Sequence, residues 1–262
     1  MEILVYLAAI LIGISMGMLG GGGSILTVPV FVYIMHIHPV LATTYSLFVV
    51  GSCSLVGGAR AWYKGLIDIP TVIYFGASSL LSVYIVRHFV LPAIPEYLFS
   101  IGDVEITKGV FLMVLFALLM VVAAVSMIRQ KENKTTAVRP GSRIPGLLTQ
   151  GFFVGAITGL LGAGGGFLII PALVLLSKLP MKTAVGTSLT IMAFSSLFGF
   201  FTTLSHYTIN WLPLLLFTAI AVGGIFIGGA LADKLRGHHL RKGFGWFVLV
   251  MGVYILVREI CW

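Results

Sequence analysis

The sequence predicts an all-α polytopic membrane protein made of two inverted repeats, each a glycine-tipped re-entrant helical hairpin followed by three transmembrane helices. Three observations carry that prediction. Of the 262 residues, 59% are hydrophobic and 9% are charged, with a mean hydropathy of +1.10; a soluble domain carries about 25% charged and 45–50% apolar residues. The chain repeats itself at an offset of 142 residues, and its basic residues gather in a few short connections, which sets an orientation.

The repeat is clearest in its glycines. Gly17-Met18-Leu19-Gly20-Gly21-Gly22-Gly23-Ser24-Ile25-Leu26-Thr27-Val28-Pro29 is matched by Gly159-Leu160-Leu161-Gly162-Ala163-Gly164-Gly165-Gly166-Phe167-Leu168-Ile169-Ile170-Pro171. The same offset pairs Gly13 with Gly155, Ala42 with Ala184, Ser46 with Ser188, Leu47 with Leu189, Ser54 with Ser196 and Gly57 with Gly199. A glycine break inside a hydrophobic segment, recurring in two halves, points to the substrate site of a transporter built from repeats. Close helix packing is the competing reason for such glycines, although four in a row exceed what a packing face needs.

Taken in order, the first repeat spans 1–128. Its hairpin covers 3–37, with 3–19 and 24–37 as half-helices around Gly20–Gly23, and helices follow at 40–59, 66–91 and 107–128. A spanning helix needs about 20 residues, which the three later segments supply and the hairpin pieces do not. The segment from Ile3 lacks a basic leader and a small-residue cleavage site, so it reads as structure rather than a removable signal. Residues 92–106, with Pro92, Pro95, Glu96, Asp103 and Glu105, read as a short interfacial connection. The linker 129–146 has no apolar periodicity and marks the repeat boundary. The second repeat, 147–262, has its hairpin over 147–178 and helices at 183–205, 211–232 and 243–261.

Charge tests the hairpins. The linker carries Arg129, Lys131, Lys134, Arg139 and Arg143 against Glu132, which puts it in the cytoplasm. Counting outward from it with hairpins brings Arg60, Lys64, Lys178, Lys182, Lys234, Arg236, Arg241 and Lys242 to the same side, whereas eight simple spans would put Lys178, Lys182 and the 234–242 cluster outside. Each half then has an odd number of crossings, so the halves are inverted and the glycine tips can meet near the midplane.

Several chemistries drop out. The formal charge of +8 sits in membrane-flanking loops, where it reads as topology and contact with the lipid bilayer rather than nucleic-acid binding. Cys53 and Cys261 make neither a metal knuckle nor a disulfide framework, so no metal or cofactor is expected. No nucleophile with a matched base, dinucleotide fingerprint or phosphate loop appears, which argues against an enzyme. None of the eight acids falls near a midplane, which disfavours a cationic substrate and a carboxylate relay. Proton coupling stays open: His206 has a suitable ordinary pKa, though a surface imidazole is the simpler reading. Arg87, with His88, reads as a snorkelling anchor, and Lys64 as an i,i+4 partner of Asp68. The oligomeric state is not fixed.

What remains is a site for a small anion. Amides freed at Gly20, Gly21, Gly22, Gly23 and Ser24, and at Gly162, Gly164, Gly165 and Gly166, would form a nest followed by a helix N-terminus, with Ser24 able to cap the second half-helix. Hydroxyls open the next helix in both halves, at Thr43-Thr44-Tyr45-Ser46 and at Thr187-Ser188-Leu189-Thr190. They could complete oxyanion coordination, or bond their own backbone. For Ser46 and Ser188 the two readings are equal, and for the threonines the backbone reading leads. Ser52, Ser54, Ser195 and Ser196 are secondary candidates. An anion channel is the competing class, and a permease for another small organic anion is the nearest alternative within transport.

The doubled Gly17–Pro29 and Gly159–Pro171 signatures, followed by Ala42-Thr43-Thr44-Tyr45-Ser46-Leu47 and Ala184-Val185-Gly186-Thr187-Ser188-Leu189, resemble the TauE/SafE family of membrane permeases, the sulfite exporters. The resemblance covers essentially the whole chain. It implies a secondary transporter in the cytoplasmic membrane that moves sulfite or a related sulfur-containing anion, commonly outward. It also implies a binding role for Gly20–Ser24, Gly162–Gly166, Thr44, Ser46, Thr187 and Ser188. Tyr45, where the second copy has Gly186 and Thr187 around its hydroxyls, departs from strict two-fold coordination.

Overall fold

The computed structural model describes residues 2–101, 104–129, 143–161, 166–204, 209–234 and 237–261. Helix α1 (Glu2–Leu19) leads into a 3₁₀ segment at Gly20–Leu26, the single turn α2 (Thr27–Pro29) and a π turn at Val30–Ile34. Helix α3 (Pro39–Tyr63) and α4 (Ile69–Ile85) follow, the latter continued by a π turn at Val86–Val90 and α5 (Leu91–Ala93). After strands β1 (Tyr97–Ile101) and β2 (Val104–Thr107) come α6 (Lys108–Arg129), α7 (Arg143–Leu161), α8 (Gly166–Pro171) with a π turn at Ala172–Leu176, α9 (Met181–Thr203), α10 (Trp211–Lys234) and α11 (Gly237–Cys261).

Among the described residues six helices are long and apolar enough to cross a membrane: Pro39–Tyr63, Ile69–Ala93, Lys108–Ser126, Ile144–Leu161, Met181–Thr203 and Trp211–Lys234. Five coincide with expected spans. The sixth, Ile144–Leu161, is longer than the half-helix the sequence predicts at 147–161, while in α11, expected to span over 243–261, the apolar part is only Gly245–Arg258. At about 1.5 Å per residue, α1 with its 18 residues is roughly 27 Å long, close to the thickness of the hydrocarbon core. It is nearly a full-length helix that happens to end in glycines. Of the expected linker 129–146, residues 130–142 lie outside the described residues.

Element ends follow local chemistry. Gly20 takes a left-handed φ of +64°, which ends α1 where a residue without Cβ is tolerated. Pro39, with φ already suited to a first helical turn, opens α3. Asp68 caps α4 by accepting from Thr71 N at 3.2 Å. Because that carboxylate serves the cap, Lys64 bonds Asp233 instead, which corrects the expected i,i+4 pair. The connection at 92–106 is a two-stranded antiparallel ribbon, β1 on β2, rather than a featureless interfacial piece. Lys108 ties it down, its Nζ donating to Leu91 O at 2.6 Å and Ile94 O at 3.2 Å.

The 142-residue offset persists in the backbone. The π turns at Val30–Ile34 and Ala172–Leu176 each begin just after a proline, Pro29 and Pro171, which are repeat partners. Each closes with matched bonds, Met35 N to Val30 O (3.1 Å) and Ser177 N to Ala172 O (3.2 Å), then Ile37 N to Phe31 O and Leu179 N to Leu173 O (both 3.0 Å). His36 and Lys178, repeat partners, both take positive φ, at 54° and 53°.

Packing obeys the same offset. The main helix pairs are α1 with α10, α4 with α7, α3 with α9 and α6 with α11. A Cβ on Gly13 would strike Ala221 O, and one on Gly155 would lie 2.6 Å from Ser79 O; both positions of the second contact are 142 residues from those of the first. The contacts of α1 advance from Ala221 at Gly13 to Ile225 at Gly17, so α1 and α10 run parallel with their backbones nearly touching. Helices α3 and α9 run antiparallel, Gly57 meeting Leu189 and Gly199 meeting Leu47. Phe31 sits centrally, its ring 5.8 Å from Tyr45 and 5.0 Å from Phe217.

Candidate functional site

The first glycine break folds back on its own helix. A Cβ on Gly23 would collide with Met16 and Ser15 of α1, and one on Gly20 would lie 2.8 Å from the Val185 side chain at the start of α9. Ser24 is fully buried, and its Oγ donates to Gly21 O at 2.5 Å. It therefore closes the glycine turn and does not cap the helix that follows, whose first turn has no side-chain cap. The 3₁₀ segment packs against α8, so the stretches behind the two breaks meet. Gly166 opens α8, while Gly162, Gly164 and Gly165 lie outside the described residues. The first break itself stands beside the far end of α10, since Gly17 abuts Gly229. That is not midway along the bundle, where the tips were expected.

The hydroxyls that open α3 and α9 divide by partner. Thr43 and Thr44 donate to Val40 O at 2.7 and 3.3 Å, Thr190 to Gly186 O at 3.1 Å and Ser188 to Val185 O at 2.9 Å. Thr187 accepts from Asp68 N at 2.9 Å, which leaves its own proton to donate. Ser46 is fully buried and its Oγ has no hydrogen-bond partner among the described residues. Tyr45 is drawn away from these groups, its hydroxyl accepting from Asn210 N at 2.8 Å.

Deeper along the same helices, Ser54, Ser195 and Ser196 are buried with Oγ atoms that have no partner among the described residues, and so are Ser79 and Ser82 on α4. Helical serines commonly bond a carbonyl of the preceding turn, and a buried hydroxyl left unpaired costs about 1–3 kcal/mol. The last two were not candidates from sequence, because α4 has no counterpart hydroxyls in α10: the equivalent positions are Ala221 and Gly224. Arg87 is another departure. It is 4% exposed, inside the π turn that extends α4, and not a snorkelling anchor.

A second feature was invisible in the sequence. A cavity of about 70 Å³ opens beside the first glycine break, lined among others by Gly17, Arg60, Lys64, Lys182, Gly186 and Asp233. Arg60 Nη2 lies 3.1 Å from Asp233 Oδ2 while Nη1 donates to Phe226 O at 3.2 Å, and Lys64 bonds the same carboxylate oxygen. The guanidinium fits because residue 229 is glycine: a Cβ there would overlap Arg60 Nη1. His206, the possible proton carrier, lies outside the described residues. Among the described residues no group of three or more His, Cys, Asp or Glu side chains could hold a metal ion.

Comparison with known proteins gives one family and consistent relatives. The family model described as sulfite exporter TauE/SafE matches residues 5–255. A probable membrane transporter protein of Xylella fastidiosa is 30% identical over 264 residues, covering 95% of this chain and 92% of that relative. Similar proteins of the same description occur in Methanocaldococcus jannaschii, 26% identical with 97% and 95% covered, and in Haemophilus influenzae, 25% identical with 98% of each covered. No solved structure matches the chain.

Proposed function

This chain belongs to the sulfite exporter TauE/SafE family, and we propose on that premise that it carries sulfite, or a related sulfur oxyanion or organosulfonate, by alternating access between two inverted repeats. It is a multi-pass membrane transporter and not an enzyme. In this reading the repeats are 1–128 and 147–262, joined by 129–146, and the anion is held where the segments behind the two glycine breaks meet. Amides of Gly20–Ser24 and Gly162–Gly166 and the hydroxyls of Thr187 and Ser188 are its expected donors at one end of the α3–α9 pair, and those of Thr44 and Ser46 are expected to receive it at the other.

The observation that carries this reading is Ser46: a fully buried hydroxyl with no partner among the described residues, two turns into the helix α3. Thr187, with its proton unspent, opens the equivalent helix of the other half. Unpaired buried hydroxyls are costly; because α3 and α9 run antiparallel, Ser46 and Thr187 stand near opposite ends of that pair, so an oxyanion would meet them in turn along its path and not both at once. The pairing of each half's first helix with the other half's third major helix, α1 with α10 and α7 with α4, is the reciprocal exchange that an inverted repeat would give.

The test is sulfite flux into proteoliposomes. Ser46→Ala and Thr187→Val should each weaken apparent affinity, by roughly 10- to 100-fold if each removes a hydrogen bond to a charged ligand worth about 1.5–3 kcal/mol, with folding retained. Unchanged affinity in both variants removes the proposed donors. Rapid current that does not saturate with sulfite replaces alternating access with a channel.

A further inference from the structure

We propose that the cavity between the ends of α3 and α10 and the start of α9 is a capture site for a small oxyanion, in which Asp233 acts as a built-in counter-anion that the arriving ligand displaces. This deepens the transport reading and rests on it. The cavity is lined by three cations, Arg60, Lys64 and Lys182, against the single carboxylate of Asp233, leaving two positive charges in excess. That excess matches a doubly charged oxyanion, and about 70 Å³ holds several water-sized groups, enough for a sulfur atom with three oxygens.

The arrangement is built, not incidental. Gly229 leaves the space that lets the Arg60 guanidinium lie along α10, and Phe226 O and Asp233 fix both of its ends. A guanidinium held in plane presents the fork that suits an oxyanion. The other lining groups include Val185 and Gly186 in the first turns of α9, whose N-terminal end favours negative charge. Gly17 and Met18 complete the wall, so the cavity opens directly beside the first glycine break. On the charge-derived topology this mouth faces the cytoplasm, the side from which an exporter collects its cargo.

Displacement has a mechanical meaning. Arg60 lies in α3, Lys64 caps its C-terminal end and Asp233 lies in α10, so these ion pairs join the two halves. The side chains of Arg60 and Asp233 are 28% and 48% exposed, and a pair so exposed contributes at most about 1 kcal/mol, weak enough for an anion to exchange into. When it does, the link between α3 and α10 is exchanged for a ligand contact.

The experiment measures binding of sulfite to the full chain in nanodiscs of neutral lipid, with proteoliposome flux alongside. Asp233→Asn should tighten sulfite binding by about 10-fold, and Lys182→Gln, which breaks none of the ion pairs described, should weaken it by a similar factor. Asp233→Asn binding that is unchanged or weaker overturns the counter-anion, and so does unaltered binding in Lys182→Gln. A parallel series in discs containing phosphatidylglycerol separates two sources of the same chemistry. Sulfite binding that persists assigns the site to soluble anions, and binding abolished by the lipid overturns that assignment in favour of a headgroup phosphate. Saturable flux without the Asp233→Asn effect rejects the capture site alone, whereas the binding effect without any flux rejects the transport reading alone.

Discussion

Arg60 can lie along α10 only because position 229 carries no side chain. Gly229→Leu should therefore expel the guanidinium and lower sulfite affinity as Arg60→Ala is expected to, and the double variant should be no worse than either single one, since both remove the same arrangement. A double-mutant cycle on binding checks this. At this scale the sequence was half legible. Ser46 stood out because its partner lies 142 residues on, and a repeated hydroxyl behind a repeated glycine break is a local pattern. The partner of Lys64 could not be found that way. The nearest acid in sequence, Asp68, is engaged in capping α4, and the acid that Lys64 does meet is 169 residues away on another helix. Arg87 misled for a related reason: its closeness to a helix end suggested exposure, but the π turn carries it inward.

The broken segments behave as matched elements. Each leaves its π turn through a residue with positive φ, His36 in one and Lys178 in the other, and a left-handed conformation costs an L-residue about 1–2 kcal/mol. Replacing either with glycine should be neutral or stabilising by up to about 1 kcal/mol after the unfolded-state entropy is counted, while His36→Val and Lys178→Val should destabilise by roughly 1–2 kcal/mol. Thermal unfolding in detergent distinguishes these outcomes. Long helices were legible because lipid demands an unbroken apolar run, and α3, α4, α6, α9 and α10 each have one. The π turns were not, since they change hydrogen-bond spacing without changing composition. The ribbon of β1 and β2 was hidden by the prolines and acids around it, which read as a loop.

At the scale of the molecule, the duplication was legible and the way its copies interlock was not. Repeated identities do not say whether a helix packs on its own half or on the other, and here the principal partner of each long helix lies across the boundary. Because Gly13 on Ala221 and Gly155 on Ser79 are equivalent contacts of backbone on backbone, Gly13→Leu and Gly155→Leu should force α1 from α10 and α7 from α4 at similar cost, about 3 kcal/mol each. Unfolding midpoints of the two variants check that they match, and a large inequality would mean that one half dominates stability. The interlocking also sets a clock. Helix α1 ends at Leu19 and its partner α10 begins at Trp211, so at about 5–20 residues per second the ribosome delivers the partner roughly 10–40 s after α1. Through that interval Gly13 and Gly17 of α1 lack the α10 backbone they finally meet, so the first half can complete its packing only once the second is made.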